Sequence, residues 1–131
     1  MRFIFVLFFF GLIHLIEFCS KAFVSHPGPP FLFFKYDLGF VFPSSYIQPG
    51  SSYPSGHLAR TMFISIIILL LTHYSKKLSK ESRNLIYLLV IVFDVAMFTS
   101  RIYLGEHWLS DVIGGSLLGL AMGLFSTLFL F

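Results

Sequence analysis

Four long apolar runs dominate this chain and leave few folds open to it. They cover about Phe3 to Cys19, Gly56 to His73, Asn84 to Ser100 and Trp108 to Phe129. A bilayer's hydrocarbon core is roughly 30 Å thick and needs about 20 apolar residues as a helix. The fourth run passes that length and the other three fall two or three residues short of it, within the range of about 17–25 that still spans. Only 11% of the residues are charged, against about 25% in an ordinary soluble domain, and 18 are phenylalanine. Lipid accepts apolar faces that water would drive to aggregate. The expectation is an all-α, integral-membrane bundle of about four transmembrane helices, forming a single domain over residues 1–131 with a long loop at 20–55.

The first run follows Arg2 as a signal peptide would, but Glu17 and Lys21 come after it and no small-x-small cleavage pattern appears, so it is read as a retained helix. In the loop, Pro27, Pro29, Pro30, Pro43, Pro49 and Pro54 exclude a long helix. Its runs Phe31–Phe34 and Phe40–Phe42 are too short to span and are placed at the interface, near Tyr36, Tyr46 and Tyr53. The segment Ser75–Arg83 carries Lys76, Lys77, Lys80 and Arg83 against one acid, Glu81, which assigns it to the cytoplasm. Residues 20–55, the start of the second run and the end of the third then meet on the extracytoplasmic face, with both termini inside. The formal charge of +3 sits between apolar segments and reads as membrane orientation rather than nucleic-acid binding. Cys19 is the only cysteine, so no intrachain disulfide forms. Gly115, Gly119 and Gly123, four apart, suit close helix packing.

Two short strings carry chemistry. In Pro54-Ser55-Gly56-His57, the proline stops the incoming chain and Ser55 suits an N-cap. A helix start of this kind binds anions, and Gly56 lets one approach the backbone. His57, in the first turn, can hand a proton to a departing oxygen. In Ser100-Arg101-x5-His107-x3-Asp111, the last two residues share a helical face. Asp111 can fix the His107 tautomer so that the other ring nitrogen faces phosphorus. Arg101 offers bidentate donors to phosphate oxygens. The bland alternative is that Asp111 caps the fourth helix and Arg101 snorkels to headgroups.

Both strings resemble the signature of the phosphatidic acid phosphatase type 2 / haloperoxidase superfamily, whose membrane members dephosphorylate lipid phosphates. The resemblance covers about residues 19–120. It implies that His107 attacks phosphorus to form a phosphohistidine and that His57 protonates the leaving group, then helps water to cleave the intermediate. Arg101, Ser55 and Gly56 hold the equatorial oxygens. The histidines do not read as a zinc set, and this chemistry calls for no metal and no cofactor. The substrate class implied is a phosphatidate, a phosphatidylglycerol phosphate or a polyprenyl diphosphate in the outer leaflet.

The family's third string, Lys-x6-Arg-Pro, is matched best by Lys21 to Pro29, with Gly28 in the arginine's place and His26 two residues before it. A second candidate, from Lys35 to Pro43, also lacks the arginine. Arg60, three residues after His57, is the expected compensation, with pairing to Glu17 or Asp94 as the structural alternative. Glu17 and Asp94 are read as supporting or structural residues. The candidate site is therefore His57, His107 and Asp111 for catalysis, and Lys21, Ser55, Gly56, Arg60 and Arg101 for phosphate. Membrane members of the family commonly have six helices. A natural minimal form, a truncated sequence and a homodimer that buries exposed helix faces are the three expectations for a chain with four. The reading from another class is a non-catalytic lipid-phosphate binder of the same fold; a soluble haloperoxidase ranks third.

Overall fold

The computed structural model describes residues 2–30 and 51–130. Lys35, Tyr36, Tyr46 and the runs Phe31–Phe34 and Phe40–Phe42 lie outside the described residues. Four helices follow one another: α1 (Arg2–Phe23), α2 (Gly56–Tyr74), α3 (Lys80–Tyr103) and α4 (Leu109–Thr127). Each is long and apolar enough to cross a membrane. At 1.5 Å per residue the shortest, of 19 residues, spans about 28 Å. Among the described residues the secondary structure is all α-helix.

The helix ends depart from the sequence expectation in places with local causes. α1 continues past Cys19 to Phe23, so Lys21 lies in its last turn, where a cation suits the helix dipole. α3 begins at Lys80 because Ser79 caps it, its side chain accepting from the Ser82 N–H at 3.2 Å. Lys80, Glu81 and Arg83 thus belong to its first turn, and the basic loop shrinks to residues 75–79. The run is dense in charge, and charge density alone does not distinguish a loop from the wet end of a span.

α2 and α4 form the central pair, α1 packs on both, and α3 leans mainly on α2. The α2–α4 contact is backbone-close because of the glycine row. An ideal Cβ at Gly115 would lie 2.2 Å from the Ser55 carbonyl oxygen, and one at Gly119 2.2 Å from that of Ala59. The small core beneath α1 is Ile13, Ala59 and Phe63, flanked by Phe9, Phe10, Leu118 and Met122. α3 buries no residue, and Leu85, Leu88, Leu89, Ile91, Val92 and Val95 along it are exposed. Such a surface would aggregate in water and is at home in hydrocarbon. Hydroxyls within α3 and α4 bond back to their own helix: Thr99 Oγ1 donates to the Val95 carbonyl at 2.8 Å and Ser116 Oγ to that of Val112 at 2.7 Å.

Candidate active site

The end of α1, the start of α2, the end of α3 and the start of α4 lie together at one end of the bundle. Several contacts show this. Glu17 of α1 reaches Arg60 of α2, and the Ser55 N–H donates to the Asp111 carbonyl at 2.9 Å. α3 ends in a left-handed turn at Gly105 (φ 75°), whose N–H bonds to the Ile102 carbonyl at 3.0 Å. The reversed chain then brings the His107 N–H to 3.3 Å from the Arg101 carbonyl. Thus a helix-stop signal places the histidine beside the arginine six residues earlier.

His107 is mostly buried, with its Nδ1 3.4 Å from Asp111 Oδ2. Asp111 is fully buried. The same Oδ2 accepts the Trp108 N–H at 3.0 Å, so Asp111 caps α4 and faces the imidazole at once. Burial is the largest influence on His107 and holds its ring below the ordinary histidine value. Asp111 opposes that by charge and hydrogen bond, while Lys21 and Arg101 add to the depression. The result is a neutral imidazole whose Nδ1 is turned to a carboxylate.

His57 stands in the first turn of α2. Arg101, Arg60, His107 and Glu17 are the groups near enough to act on its ring through their charge. The two histidines therefore share one neighbourhood, together with two guanidiniums and Lys21. Ser55 occupies the N-cap position of α2, but its side chain makes no capping bond. Its N–H is bonded to α4 and its carbonyl accepts from the Ala59 N–H of α2, while its buried Oγ has no partner. Gly56 is the first helical residue. The atoms that crowd its Cα belong to the Glu17 carboxylate, 2.1–2.3 Å from an ideal Cβ.

The cations at this end are paired with acids. Lys21 Nζ is 2.7 Å from Glu17 Oε1, and Arg60 Nη1 is 2.6 Å from Glu17 Oε2. For Arg60 this is the structural pairing named above as the alternative to compensation. Arg101 pairs through Nη1 with Glu106, which the sequence reading passed over although it adjoins His107. Burial pushes the Glu106 carboxyl above its ordinary range. Buried side-chain polar atoms without a hydrogen-bond partner concentrate here: Ser51 Oγ, Ser55 Oγ, Arg101 Nε and Asp111 Oδ1, with Arg83 Nε the exception among the described residues.

His26 is the other residue that the expected site omitted. Its Nε2 lies 3.0 Å from Asp111 Oδ1, a close contact without the alignment of a hydrogen bond, and 3.2 Å from Ser110 Oγ. Its carbonyl accepts from the Ser52 N–H at 2.8 Å, and the neighbouring Pro27 carbonyl accepts from Trp108 Nε1 at 2.9 Å. The segment after α1 is thereby tied to both active strings. The signal was available, since His26 falls in the register of the third string. A cavity of about 370 Å³ opens beside His107, lined by apolar Pro29, Ile102, Tyr103, Trp108 and Leu109.

Known proteins resemble this chain over part of their length. A phosphatidylglycerophosphatase B of Bacillus subtilis (strain 168) is 36% identical over 72 residues, covering 54% of this chain and 35% of that protein. An undecaprenyl-diphosphatase of Sulfolobus acidocaldarius is 39% identical over 83 residues, 61% of this chain and 35% of that one. The crystal structure of a transmembrane PAP2 type phosphatidylglycerolphosphate phosphatase from Bacillus subtilis superposes with a TM-score of 0.71 at 28% identity. It covers 95% of this chain, which spans 56% of that one. The chain thus spans about a third of the length of the curated relatives it matches. The PAP2 superfamily model matches residues 1–131, and with four apolar spans arranged as in the solved relative, the chain is an integral-membrane member of the PAP2 superfamily.

Proposed function

We propose that this protein hydrolyses a lipid phosphate or diphosphate through a phosphohistidine at His107, on the extracytoplasmic face of the membrane. The observation that carries the reading is the gathering of His57, His107, Arg101, Arg60 and Lys21 at one bundle end, with Asp111 buried behind His107. The names of the two curated relatives support a phosphatidylglycerol phosphate or a polyprenyl diphosphate as substrate; a phosphatidate is the third substrate of the same chemical class. The basic stretch at the opposite end of α2 and α3 supports the orientation.

In the first step the neutral Nε2 of His107 attacks phosphorus, and the bond to the leaving oxygen breaks. His57 gives that oxygen a proton, so an alcohol or lipid monophosphate departs. Asp111 holds the Nδ1 proton and balances the imidazolium charge. In the second step His57 takes a proton from water, whose oxygen attacks phosphorus, and the P–N bond breaks to release phosphate and restore His107. Arg101 and the Ser55 hydroxyl stabilise the equatorial oxygens, where charge spreads in the transition state. A phosphate between Arg101, Arg60 and His57 also offers the His57 imidazolium its counter-charge.

Purified protein tested against a panel of these lipids should release phosphate, and His107→Ala should abolish both release and an acid-labile phosphoenzyme. Unchanged release by that variant would refute the assignment. One observation favours a second reading, a lipid-phosphate binder without turnover: Gly28 supplies no side chain where the family string has arginine, and Glu17 already occupies Lys21 and Arg60. Such a binder retains the lipid but releases no phosphate, and is indifferent to His107→Ala.

A further inference from the structure

Two of the cations assigned to phosphate meet a carboxylate of the chain itself, and the manner of the meeting is specific. Glu17 presents one oxygen to each cation, Oε1 to Lys21 and Oε2 to Arg60, at 2.7 and 2.6 Å. A phosphate edge engages two cations in the same way. The carboxylate also rests flat over Gly56: Oε1, Cδ and Oε2 are 2.1, 2.3 and 2.3 Å from an ideal Cβ there. Gly56 opens α2, where unpaired backbone N–H groups favour an anion. Beside it the Ser55 hydroxyl is buried and has no partner. The Glu17 side chain is only 12% exposed, so water screens these contacts poorly.

We propose that Glu17 is a positioning residue that competes with substrate: its carboxylate sits in the resting site where a phosphoryl group binds, and phosphate enters by taking Lys21 and Arg60 over from it. The inference rests on the phosphate site of the preceding subsection. It also fits the pairing of charge, because Lys21 and Arg60 share the single carboxylate of Glu17 while Arg101 has Glu106. A weakly charged anion gains little by displacing a carboxylate that the same cations already hold. A phosphate dianion or diphosphate gains more, so Glu17 raises the charge a ligand must carry.

A clip that merely joins α1 to α2 predicts the opposite sign, which makes the proposal testable. In Glu17→Gln the seat loses its resident charge while Lys21 and Arg60 remain. Inorganic phosphate, titrated by 31P NMR and as an inhibitor, should bind about tenfold more tightly, the worth of one charge-assisted contact. KM for a short-chain lipid phosphate should fall with kcat changed less than about threefold, as for binding that is uniform between ground and transition states. Glu17→Asp, which withdraws the carboxylate by one methylene, should tighten phosphate binding by a smaller factor and covers the case in which the glutamine variant does not fold. Equal or weaker phosphate binding in whichever variant folds overturns the proposal, as does a fall in kcat at constant KM. If wild-type protein binds phosphate yet hydrolyses no lipid phosphate, the functional reading fails while the titration still decides on Glu17. Absence of phosphate binding from both variants and wild type overturns both.

Discussion

Gly115→Ala is the most informative single substitution, because it acts on the distance between the two halves of the site while removing no chemical group. The added Cβ would lie 2.2 Å from the Ser55 carbonyl oxygen, 3.1 Å from its carbon and 3.2 Å from its nitrogen. A carbon and a carbonyl oxygen settle at about 3.3 Å, so α2 and α4 must part there by about 1 Å. All three neighbouring atoms are backbone, so no side chain can swing away. Ser55 is followed by Gly56 and His57, and Gly115 lies one turn below Asp111, so the opening moves His57 away from His107. A misplacement of about 1 Å costs on the order of a hundredfold in rate, and overpacking of this kind costs about 1–3 kcal/mol of stability. The assay is kcat for phosphate release in detergent, beside the melting temperature. Two controls isolate the cause. At Gly11 a Cβ meets nothing within 4 Å, and at Gly123 it meets Ile66 side-chain atoms at 3.1 Å, far from the site. Gly11→Ala should keep full rate, and Gly123→Ala should lose stability without losing more than about threefold in rate. Wild-type turnover in Gly115→Ala, or an equal loss in Gly123→Ala, would show that helix separation does not govern the site.

Two further outcomes follow from the same geometry. Burial holds His107 below the ordinary histidine value, so the neutral nucleophile persists as the pH falls, and the acid limb of kcat/KM should lie below about pH 6.5; Asp111→Asn removes the upward pull, and should move that limb further to acid while lowering kcat by at least about a hundredfold. A limb above about pH 7, or one that rises in Asp111→Asn, contradicts the assignment. Asp94 accepts from Ser65 Oγ at 2.7 Å between α3 and α2, away from the histidines; Asp94→Ala should lower stability by about 1 kcal/mol and leave kcat within about twofold, and a tenfold loss of rate at unchanged stability would give this carboxyl a part in the reaction.

What could be read in advance was what is local or compositional. Apolar length predicted the spans, and the i, i+4 spacing of His107 and Asp111 predicted their pairing, which the fold makes not along one helical face but from His107 just before the Trp108 N-cap of α4. The glycine row predicted close packing, and it is where α4 meets α2. What escaped depends on contacts between distant segments. Ser110 meets His26 across 84 residues, a partner that no pattern in one chain specifies, and the sequence left Glu17, 43 residues from Arg60, as one of two possible partners without choosing between them. Ser55 illustrates the same limit in a single residue. Its position as an N-cap is a local property and was legible, but that its hydroxyl makes no capping bond while its N–H reaches α4 was not. Glu106 was missed for another reason: attention fell on the fixed positions of the motif, and the acid lies in the variable stretch between them.

The amide N–H of Ser55 donates a hydrogen bond to the carbonyl of Asp111, joining the two halves of the site through main-chain atoms alone. No exchange of side chains at either position, proline at residue 55 apart, can delete that strut. Alignment of the two imidazoles is therefore inherited with the trace of the chain. The fatty exterior of this chain can consequently be rewritten, for a new bilayer or a new hydrocarbon tail, without touching that link.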